Sequence, residues 1–228
     1  MHGLAARKSV SQTMIWFKGQ YKSRHEFLLT YIKPGKILNV GNLGVSAGGD
    51  FNLESHNLLI EFLNKNYPDS ELIGMDVHAA GSALDIRSTQ VLGDICNPPF
   101  GDLTFDTIYM GEVIEHLISP YDALKQAYRI LKEKGILIID TPNPYSLDRC
   151  IKWLLARKES LGDPTHRIFF TPLSLMAILE EARFELIEIA SDNKVSIGKG
   201  MMIDKFLPNR TVRGLGAHLL VAAEKRSR

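Results

Sequence analysis

The chain has 228 residues, with 27 Lys and Arg against 26 Asp and Glu, a formal net charge of +1 and a hydrophobic fraction of 45%. This composition is typical of a globular domain with a sizeable core and excludes collagen-like, coiled-coil and disordered chains. No apolar run reaches the roughly 18 residues of a membrane span, and two cysteines cannot build a disulfide framework. We therefore expect a cytoplasmic protein, with nucleic acid not expected as a partner because the charge is balanced.

Residues 1–22 are predicted to form a basic N-terminal arm that precedes a single domain over residues 23–228. From Met1 to His25 the chain contains no acidic residue, whereas Arg7, Lys8 and Lys18 are among its basic residues. A targeting segment has the same composition, so both interpretations of this stretch stay open.

Helical and strand patterns alternate from Ser23 to Thr141. Ser23, with Glu26 three residues later, has the sequence of a helix N-cap and capping box. The predicted helices cover Arg24–Ile32, Ser55–Tyr67, Glu112–Leu117 and Pro120–Leu131. The predicted strands cover Lys36–Val40, Glu71–Met75, Gln90–Gly93, Phe105–Met110 and Ile136–Asp140. Near-continuous apolar strands that alternate with helices predict a parallel sheet covered by helices on both faces.

Beyond Pro144 this alternation is lost. Two further helices are predicted over Ser146–Leu155 and Pro172–Ala182. Two further strands are predicted over Phe184–Ala190 and Ala217–Ala223, and Ser191–Gly216 is interpreted as an irregular connection between them.

The carboxyl ends of the predicted strands carry the residues best placed to bind a ligand. After the first strand, the glycine-bearing turn Gly41–Gly49 lets the backbone approach a ligand closely. Asp76 follows the second strand, where a carboxylate can accept hydrogen bonds from both hydroxyls of a ribose. Asp94 can accept an adenine amino proton while Ile95 packs on the ring. In this order and spacing, the residues predict a nucleoside-containing cofactor.

Five segments resemble the class I S-adenosylmethionine-dependent methyltransferases, in particular the broad type 11 group. They are Asn39–Gly44, Leu72–Asp76, Leu92–Ile95, Phe105–Ile108 and Gly111–Leu117. The resemblance runs from about Ser23 to the C-terminus. It implies a Rossmann-like three-layer α/β sandwich, with a mostly parallel seven-stranded sheet whose last strand is antiparallel, and S-adenosylmethionine as the cofactor. Residues 23–228 would then be one methyltransferase domain with a substrate-side insertion around residues 144–170.

The resemblance also implies which residues contact the cofactor. Asn39, Val40, Gly41, Asn42 and Gly44 would hold its methionine part, Asp76 with Val77 its ribose, Asp94 with Ile95 its adenine, and Gly111 with Glu112 would flank the sulfonium. Two positions depart from the family pattern. Asn39 stands where an acid usually contacts the cofactor's amino group, so that hydrogen bond would lack charge assistance. Leu43 occupies the usual position of the middle glycine.

His116 and His166 are the predicted catalytic residues. Methyl transfer from a sulfonium is an in-line displacement, so the protein must align the reactants, exclude water and, for some acceptors, remove a proton. A histidine, with an unperturbed pKa of about 6.5, suits proton removal at neutral pH. The alternative for each histidine is a purely structural role.

Glu112, Glu115 and His116 lie on one face of a predicted helical turn. Together with His166 they would offer oxygen and nitrogen ligands to Mg²⁺ or Mn²⁺. This set is similar to the metal site of small-RNA 3′-end methyltransferases and of some ubiquinone-pathway O-methyltransferases. Acids are also favoured in the first turn of a helix without any metal. We assign no metal from the sequence and keep this site as a hypothesis that chelation would test.

The acceptor pocket is expected within Pro144–Phe170, with Trp16, Tyr145 and Trp153 as candidate lining residues. The alternative is that these aromatic residues fill the core. The segments Asn143–Tyr145 and His166–Thr171 resemble relatives that methylate sugars, lipids or other small hydroxyl compounds. We therefore predict O-methylation of a small-molecule acceptor.

Two other functions stay open. A nicotinamide-dependent short-chain oxidoreductase would use the glycines Gly41, Gly44 and Gly48, with Tyr128 and Lys132 as a Tyr-x-x-x-Lys pair. That pair precedes the Ile136–Asp140 strand, which is too early in the chain for a catalytic pair of that class. A non-catalytic binding protein could also retain the methyltransferase fold.

Overall fold

The computed structural model describes residues 19–41, 43, 53–78, 88–157, 163–192, 196–197, 201–202 and 214–227. The strands are β1 (Gly19–Tyr21), β2 (Lys36–Val40), β3 (Glu71–Asp76), β4 (Thr89–Leu92), β5 (Phe105–Gly111), β6 (Leu131–Pro142), β7 (Phe184–Asp192), β8 (Ser196–Ile197), β9 (Met201–Met202) and β10 (His218–Lys225). The helices are α1 (Arg24–Tyr31), α2 (Leu53–Asn66), α3 (Pro120–Ile130), α4 (Leu147–Ala156) and α5 (Pro172–Glu181).

The main sheet has the strand order β1-β7-β10-β6-β5-β2-β3-β4. Strand β10 is antiparallel to both of its neighbours, β6 and β7, and the other pairs in this sheet are parallel. The prediction of a mostly parallel sheet with an antiparallel last strand is confirmed. Strands β8 and β9 form a separate antiparallel pair.

Strand β1 is an addition to the predicted seven-stranded sheet. It pairs in parallel with β7, with Gly19 opposite Ala190 and Tyr21 opposite Asp192. Residues 19–21, which the sequence places in the N-terminal arm, are therefore part of the main sheet. The remainder of the arm, residues 1–18, lies outside the described residues, as does Trp16.

Helices cover both faces of the sheet, and consecutive strand residues point to opposite faces. On one face, Leu38 and Ile108 pack in a cluster with residues of α3 and α5, such as Leu124 and Leu175. On the other face, Ile37 belongs to a cluster with residues of α1 and α2. Burying each such large apolar side chain contributes about 1.5–3 kcal/mol. The predicted three-layer sandwich is confirmed.

The segment Glu112–Leu117 differs from its prediction as a helix. Only Ile114–His116 is helical, as a single 3-10 turn. Glu112 has a φ of +53°, in the left-handed region, and Leu117 is extended with a ψ of 141°. Because Val113, directly before the turn, has a φ of −120° and Leu117, directly after it, is extended, the turn does not lengthen into an α-helix.

Two boundaries in the second half also matter for the site. Strand β7 continues to Asp192, two residues beyond its predicted end, and β10 begins at His218. None of the helices in the described part of the chain has the length and apolar character needed to cross a membrane.

Candidate active site

The turn after β2 passes close to the residues that follow β5. Gly41 has a φ of +67°, and its backbone N–H donates to the Met75 carbonyl at 2.8 Å. A Cβ atom at Gly41 would lie only 2.5 Å from Cγ2 of Val113, so glycine is required by both backbone angle and space. The close approach observed here is to the Val113 side chain, and the predicted approach of this turn to a ligand stays a prediction. Asn42 and Gly44 lie outside the described residues.

Asp76 is buried at the carboxyl end of β3. Its Oδ2 accepts a hydrogen bond from the Leu43 backbone N–H at 3.1 Å, and its Oδ1 accepts one from His78 at 3.0 Å. The carboxylate thus links the turn after β2 to the end of β3. Each oxygen accepts one such bond, and a carboxylate oxygen has a second lone pair for a ligand hydroxyl. Asn39 and Val40 are also buried, near the end of β2.

The other predicted contacts for ribose and adenine differ in exposure. Asp94 is exposed just beyond β4, and its Oδ1 accepts from the Cys96 backbone N–H at 2.8 Å. Ile95 is buried in the core cluster, so of this pair only Asp94 has a side chain open to a ligand. Val77 is 62% exposed and offers an apolar surface at the same edge of the sheet.

The two predicted catalytic histidines come together although 50 positions separate them in the sequence. Their ring centroids lie 4.6 Å apart at an interplanar angle of 73°. The loop that carries His166 is attached to the 3-10 turn, because the backbone N–H groups of Arg167 and Ile168 donate to the Glu115 carbonyl at 2.8 and 3.3 Å. We call Glu115, His116 and His166 the histidine-pair cluster.

Burial shifts the pKa values of Glu115 and His116. Glu115 is fully buried, its Oε2 accepts from the Thr141 hydroxyl at 2.9 Å, and burial raises its pKa to about 8. Its Oε1 has no hydrogen-bond partner within the described structure and lies 4.0 Å from Nε2 of His166. Burial also lowers the pKa of His116, and the neighbouring His166 lowers it further. A neutral His116 at pH 7 is the consequence.

The predicted metal ligands do not all meet. Glu115, His116 and His166 each offer a ligand atom, and these atoms lie within 4.8 Å of one another. Glu112, the fourth residue of the hypothesis, instead contacts His218, with 2.9 Å between its Oε1 and Nε2 of His218. The metal hypothesis for these four residues stays untested.

A second group of titratable residues lies on the same edge and was missed from the sequence. We call Glu112, Asp140, Asp192 and His218 the charged cluster. His218 Nδ1 lies 2.8 Å from Oδ2 of Asp192, and the His218 backbone N–H donates to Oδ1 of Asp192 at 3.1 Å. Burial opposes a charge on His218, but the hydrogen bonds with Asp192 and Glu112 outweigh it and raise its pKa to about 10. The hydrogen bond from His218 lowers the pKa of Glu112.

Asp140 completes the charged cluster at the end of β6. It is 1% exposed, and burial raises its pKa. Its Oδ2 lies 3.4 Å from both Nη1 of Arg24 and the Tyr109 hydroxyl. The predicted strand ends at Ala190, two residues before Asp192, and the resemblance implies an antiparallel last strand without giving its place between β6 and β7.

Two of the three aromatic residues proposed for the acceptor pocket, Tyr145 and Trp153, are not core residues. Tyr145 is 47% exposed and Trp153 is 51% exposed. The alternative that these two side chains fill the core is therefore wrong.

The Tyr128 and Lys132 pair does not face the carboxyl edge. The Tyr128 hydroxyl donates to the Arg226 carbonyl at 2.9 Å, and Nζ of Lys132 donates to Asp106 at the start of β5 at 2.7 Å. These contacts hold the pair at the opposite edge of the sheet, away from the proposed glycine turn.

The chain is similar in sequence to methyltransferases of more than one kind. The chain is 29% identical over 149 residues to a sterol 24-C-methyltransferase of Schizosaccharomyces pombe, an alignment that covers 64% of this chain and 36% of that protein. It is 30% identical over 132 residues to a tRNA U34 carboxymethyltransferase of Helicobacter pylori, covering 50% of this chain and 48% of that protein. This chain therefore spans less than half the length of either relative.

A solved structure supports the fold. The putative methyltransferase of Haloferax volcanii, in complex with the Trm112 methyltransferase activator, superposes with a TM-score of 0.63 at 14% identity over 90% of this chain and 91% of that chain. A family model described as a methyltransferase domain matches residues 48–189, more than half of the chain. The class I methyltransferase fold predicted from the sequence is confirmed, and the chain belongs to this methyltransferase domain family.

Proposed function

We propose that this protein transfers a methyl group from S-adenosylmethionine to a hydroxyl group of a small molecule. The observation that carries the proposal is a neutral, oriented histidine, His116, on the same sheet edge as Gly41 and Asp76. The family assignment supports the methyl transfer, and the histidine supports an acceptor that must lose a proton.

The residues at the carboxyl edge fit this cofactor. Gly41 lets the turn after β2 pass directly beside Val113, Asp76 offers a buried carboxylate, and Asp94 offers an exposed one. S-adenosylmethionine supplies a methyl group on a positively charged sulfur, which is already activated for displacement. The chain's own task is to align the acceptor and to accept its proton.

His116 is oriented by its neighbours as a base. The Thr165 hydroxyl donates to Asp163 and lies 2.9 Å from Nδ1 of His116. Because the single hydroxyl proton is used on Asp163, the Thr165 oxygen must accept from Nδ1–H of His116. Nε2 of His116 is then the ring atom with a free lone pair, and it is the atom we assign to take the acceptor's proton.

The proposed methyl acceptor is a hydroxyl group of a small molecule. The relatives are named for a sterol carbon and for a tRNA base, so their names do not single out one acceptor chemistry. A hydroxyl needs a base, which His116 provides, and the exposed Tyr145 and Trp153 offer apolar surface for a small molecule. The net charge of +1 gives little support to a polyanionic acceptor.

The test is methyl transfer from radiolabelled S-adenosylmethionine to two panels, one of small hydroxyl compounds and one of tRNA. We expect label in the hydroxyl panel, and loss of that label in His116→Gln with binding of S-adenosylhomocysteine retained. Label in tRNA alone, or full activity of His116→Gln, would contradict the proposal.

A further inference from the structure

We propose that Glu112, Asp140 and His218 form a binding site for a divalent metal ion, and that Asp192 orients the histidine of this site. The inference does not rest on the methyl transfer proposed above, because it concerns binding of the ion alone. The site is distinct from the four residues that the sequence suggests as metal ligands, with which it shares only Glu112.

The spacing of the ligand atoms fits one ion. Glu112, Asp140 and His218 each offer one ligand atom, and these atoms lie within 4.8 Å of one another. Oε1 of Glu112 and Nε2 of His218 are 2.9 Å apart. Adjacent ligands of an octahedral ion with bonds of about 2.1 Å are separated by about 3 Å.

Asp140 provides an observation that is independent of the acidic composition of the cluster. Its side chain is 1% exposed, and its Oδ1 has no hydrogen-bond partner among the residues that the structure describes. The neighbouring Arg24 and Tyr109 lie near the other oxygen, Oδ2. A buried carboxylate oxygen without a partner costs free energy, and a bound cation would remove that cost.

Asp192 fixes which nitrogen of His218 faces the site. One oxygen of Asp192 accepts from the His218 backbone N–H at 3.1 Å, and the other lies 2.8 Å from Nδ1. Since the Asp192 oxygen at this distance acts as the acceptor, Nδ1 carries a proton and Nε2 points at Glu112. A carboxylate that accepts from the distal nitrogen of a ligand histidine is the usual support of a protein metal site.

Two lone pairs facing each other across 2.9 Å require a positive charge between them. Without a metal, that charge is a second proton on His218. With a metal, it is the ion itself. Three carboxylates (Glu112, Asp140 and Asp192) against one nearby guanidinium, Arg24, leave the surroundings negative and favour the divalent ion. Two carboxylates and one imidazole suit Mn²⁺, which we use as the probe.

The experiment is a titration of the full chain, freed of metal by chelation and without S-adenosylmethionine, with Mn²⁺ followed by the loss of the free-ion EPR signal. We expect one bound ion per chain. In Asp192→Asn we expect the affinity for Mn²⁺ to be lower by about tenfold or more, and in His218→Gln and Asp140→Asn we expect a larger loss of affinity. Glu112→Gln, at a side chain that is 44% exposed, provides a loss variant that does not alter the buried core.

His78→Gln is the matched control, since it removes an exposed imidazole that belongs to neither group. We expect it to bind Mn²⁺ like the unmodified chain. Absence of bound Mn²⁺ would overturn the proposal, as would an ion that is lost in His166→Gln and kept in His218→Gln. Because no cofactor is present, these results are independent of whether the chain transfers a methyl group.

Discussion

The histidine-pair cluster and the charged cluster use the same residue types on one sheet edge, yet they hold opposite charge states. In the histidine-pair cluster, burial with few hydrogen bonds raises the pKa of Glu115 to about 8 and lowers that of His116. In the charged cluster, hydrogen bonds with two carboxylates outweigh burial and raise the pKa of His218 to about 10. At His218 and Glu112 hydrogen bonds outweigh burial, whereas at Glu115, as at Asp140, burial is the larger effect on the pKa.

The largest expected effect is on catalysis by the histidine-pair cluster. His116→Gln removes the proposed base, so we expect kcat for a hydroxyl acceptor to fall about 10²–10⁴-fold. Because the pKa of His116 is lowered, the acid limb of the kcat pH profile should lie below pH 6.5 in the unmodified chain and disappear in the variant. Thr165→Val, which removes only the orienting oxygen, should cause a smaller loss.

Steady-state kinetics with a hydroxyl acceptor identified from the small-molecule panel would provide the measurement. A Thr165→Val variant with kcat lower than that of His116→Gln would show that Thr165, and not His116, is the group that matters.

The next effect is on stability through the charged cluster. Asp192→Ala leaves His218 with one carboxylate partner fewer in a buried site, and breaking a buried pair costs about 3–5 kcal/mol. Chemical denaturation at pH 7 would measure the free energy of unfolding. Glu180→Ala, at an exposed position of α5, is the control and should change it by less than about 0.5 kcal/mol. If Asp192→Ala lost no more unfolding free energy than this control, the hydrogen bonds with His218 would not be the strong interactions on which the comparison of the two clusters rests.

The two clusters should differ in the direction in which their contributions to the free energy of unfolding change with pH. The folded pKa of Glu115 is raised, so its contribution to stability is present below its unfolded pKa of about 4.3 and is lost as pH rises towards about 8. Glu115→Gln should therefore become more stable relative to the unmodified chain between pH 5 and pH 8. The folded pKa of Glu112 is lowered, so its contribution is present above the unfolded pKa and is lost on acidification.

Glu112→Gln is consequently the matched variant, and its deficit in unfolding free energy should shrink as pH falls below about 4.3. Parallel denaturation curves from pH 3 to pH 8 would measure both variants. The same direction of pH dependence in the two variants would contradict the assigned charge states.

The sequence predicts a feature best when the residues that form it are close together along the chain. Apolar strands and the glycine turn identify the parallel half of the sheet and the buried Asp76 because those signals are local. His116 and His166 are predicted as candidates by residue type and position. The 3-10 turn at Ile114–His116 is not predicted, since Glu112 adopts a left-handed backbone that its residue type does not favour.

The charged cluster could not be predicted for a different reason. It requires β10 to insert antiparallel between β6 and β7, which places His218 beside Asp192 and Asp140. Strand order depends on pairings between residues far apart in the chain, and the local pattern of apolar residues does not specify it. Of the charged cluster, only Glu112 is a predicted site residue, as a neighbour of the cofactor's sulfonium and as one of the four residues of the metal hypothesis.

The most direct test of the methyltransferase account is the affinity of Asp76→Ala for S-adenosylhomocysteine, measured by calorimetric titration. Asp69→Ala, at an exposed turn residue before β3, is the control and should bind as the unmodified chain does. Loss of a charge-assisted hydrogen bond of about 1.5–3 kcal/mol predicts binding weaker by about 10–100-fold in Asp76→Ala. An unchanged affinity in a folded Asp76→Ala would contradict the account.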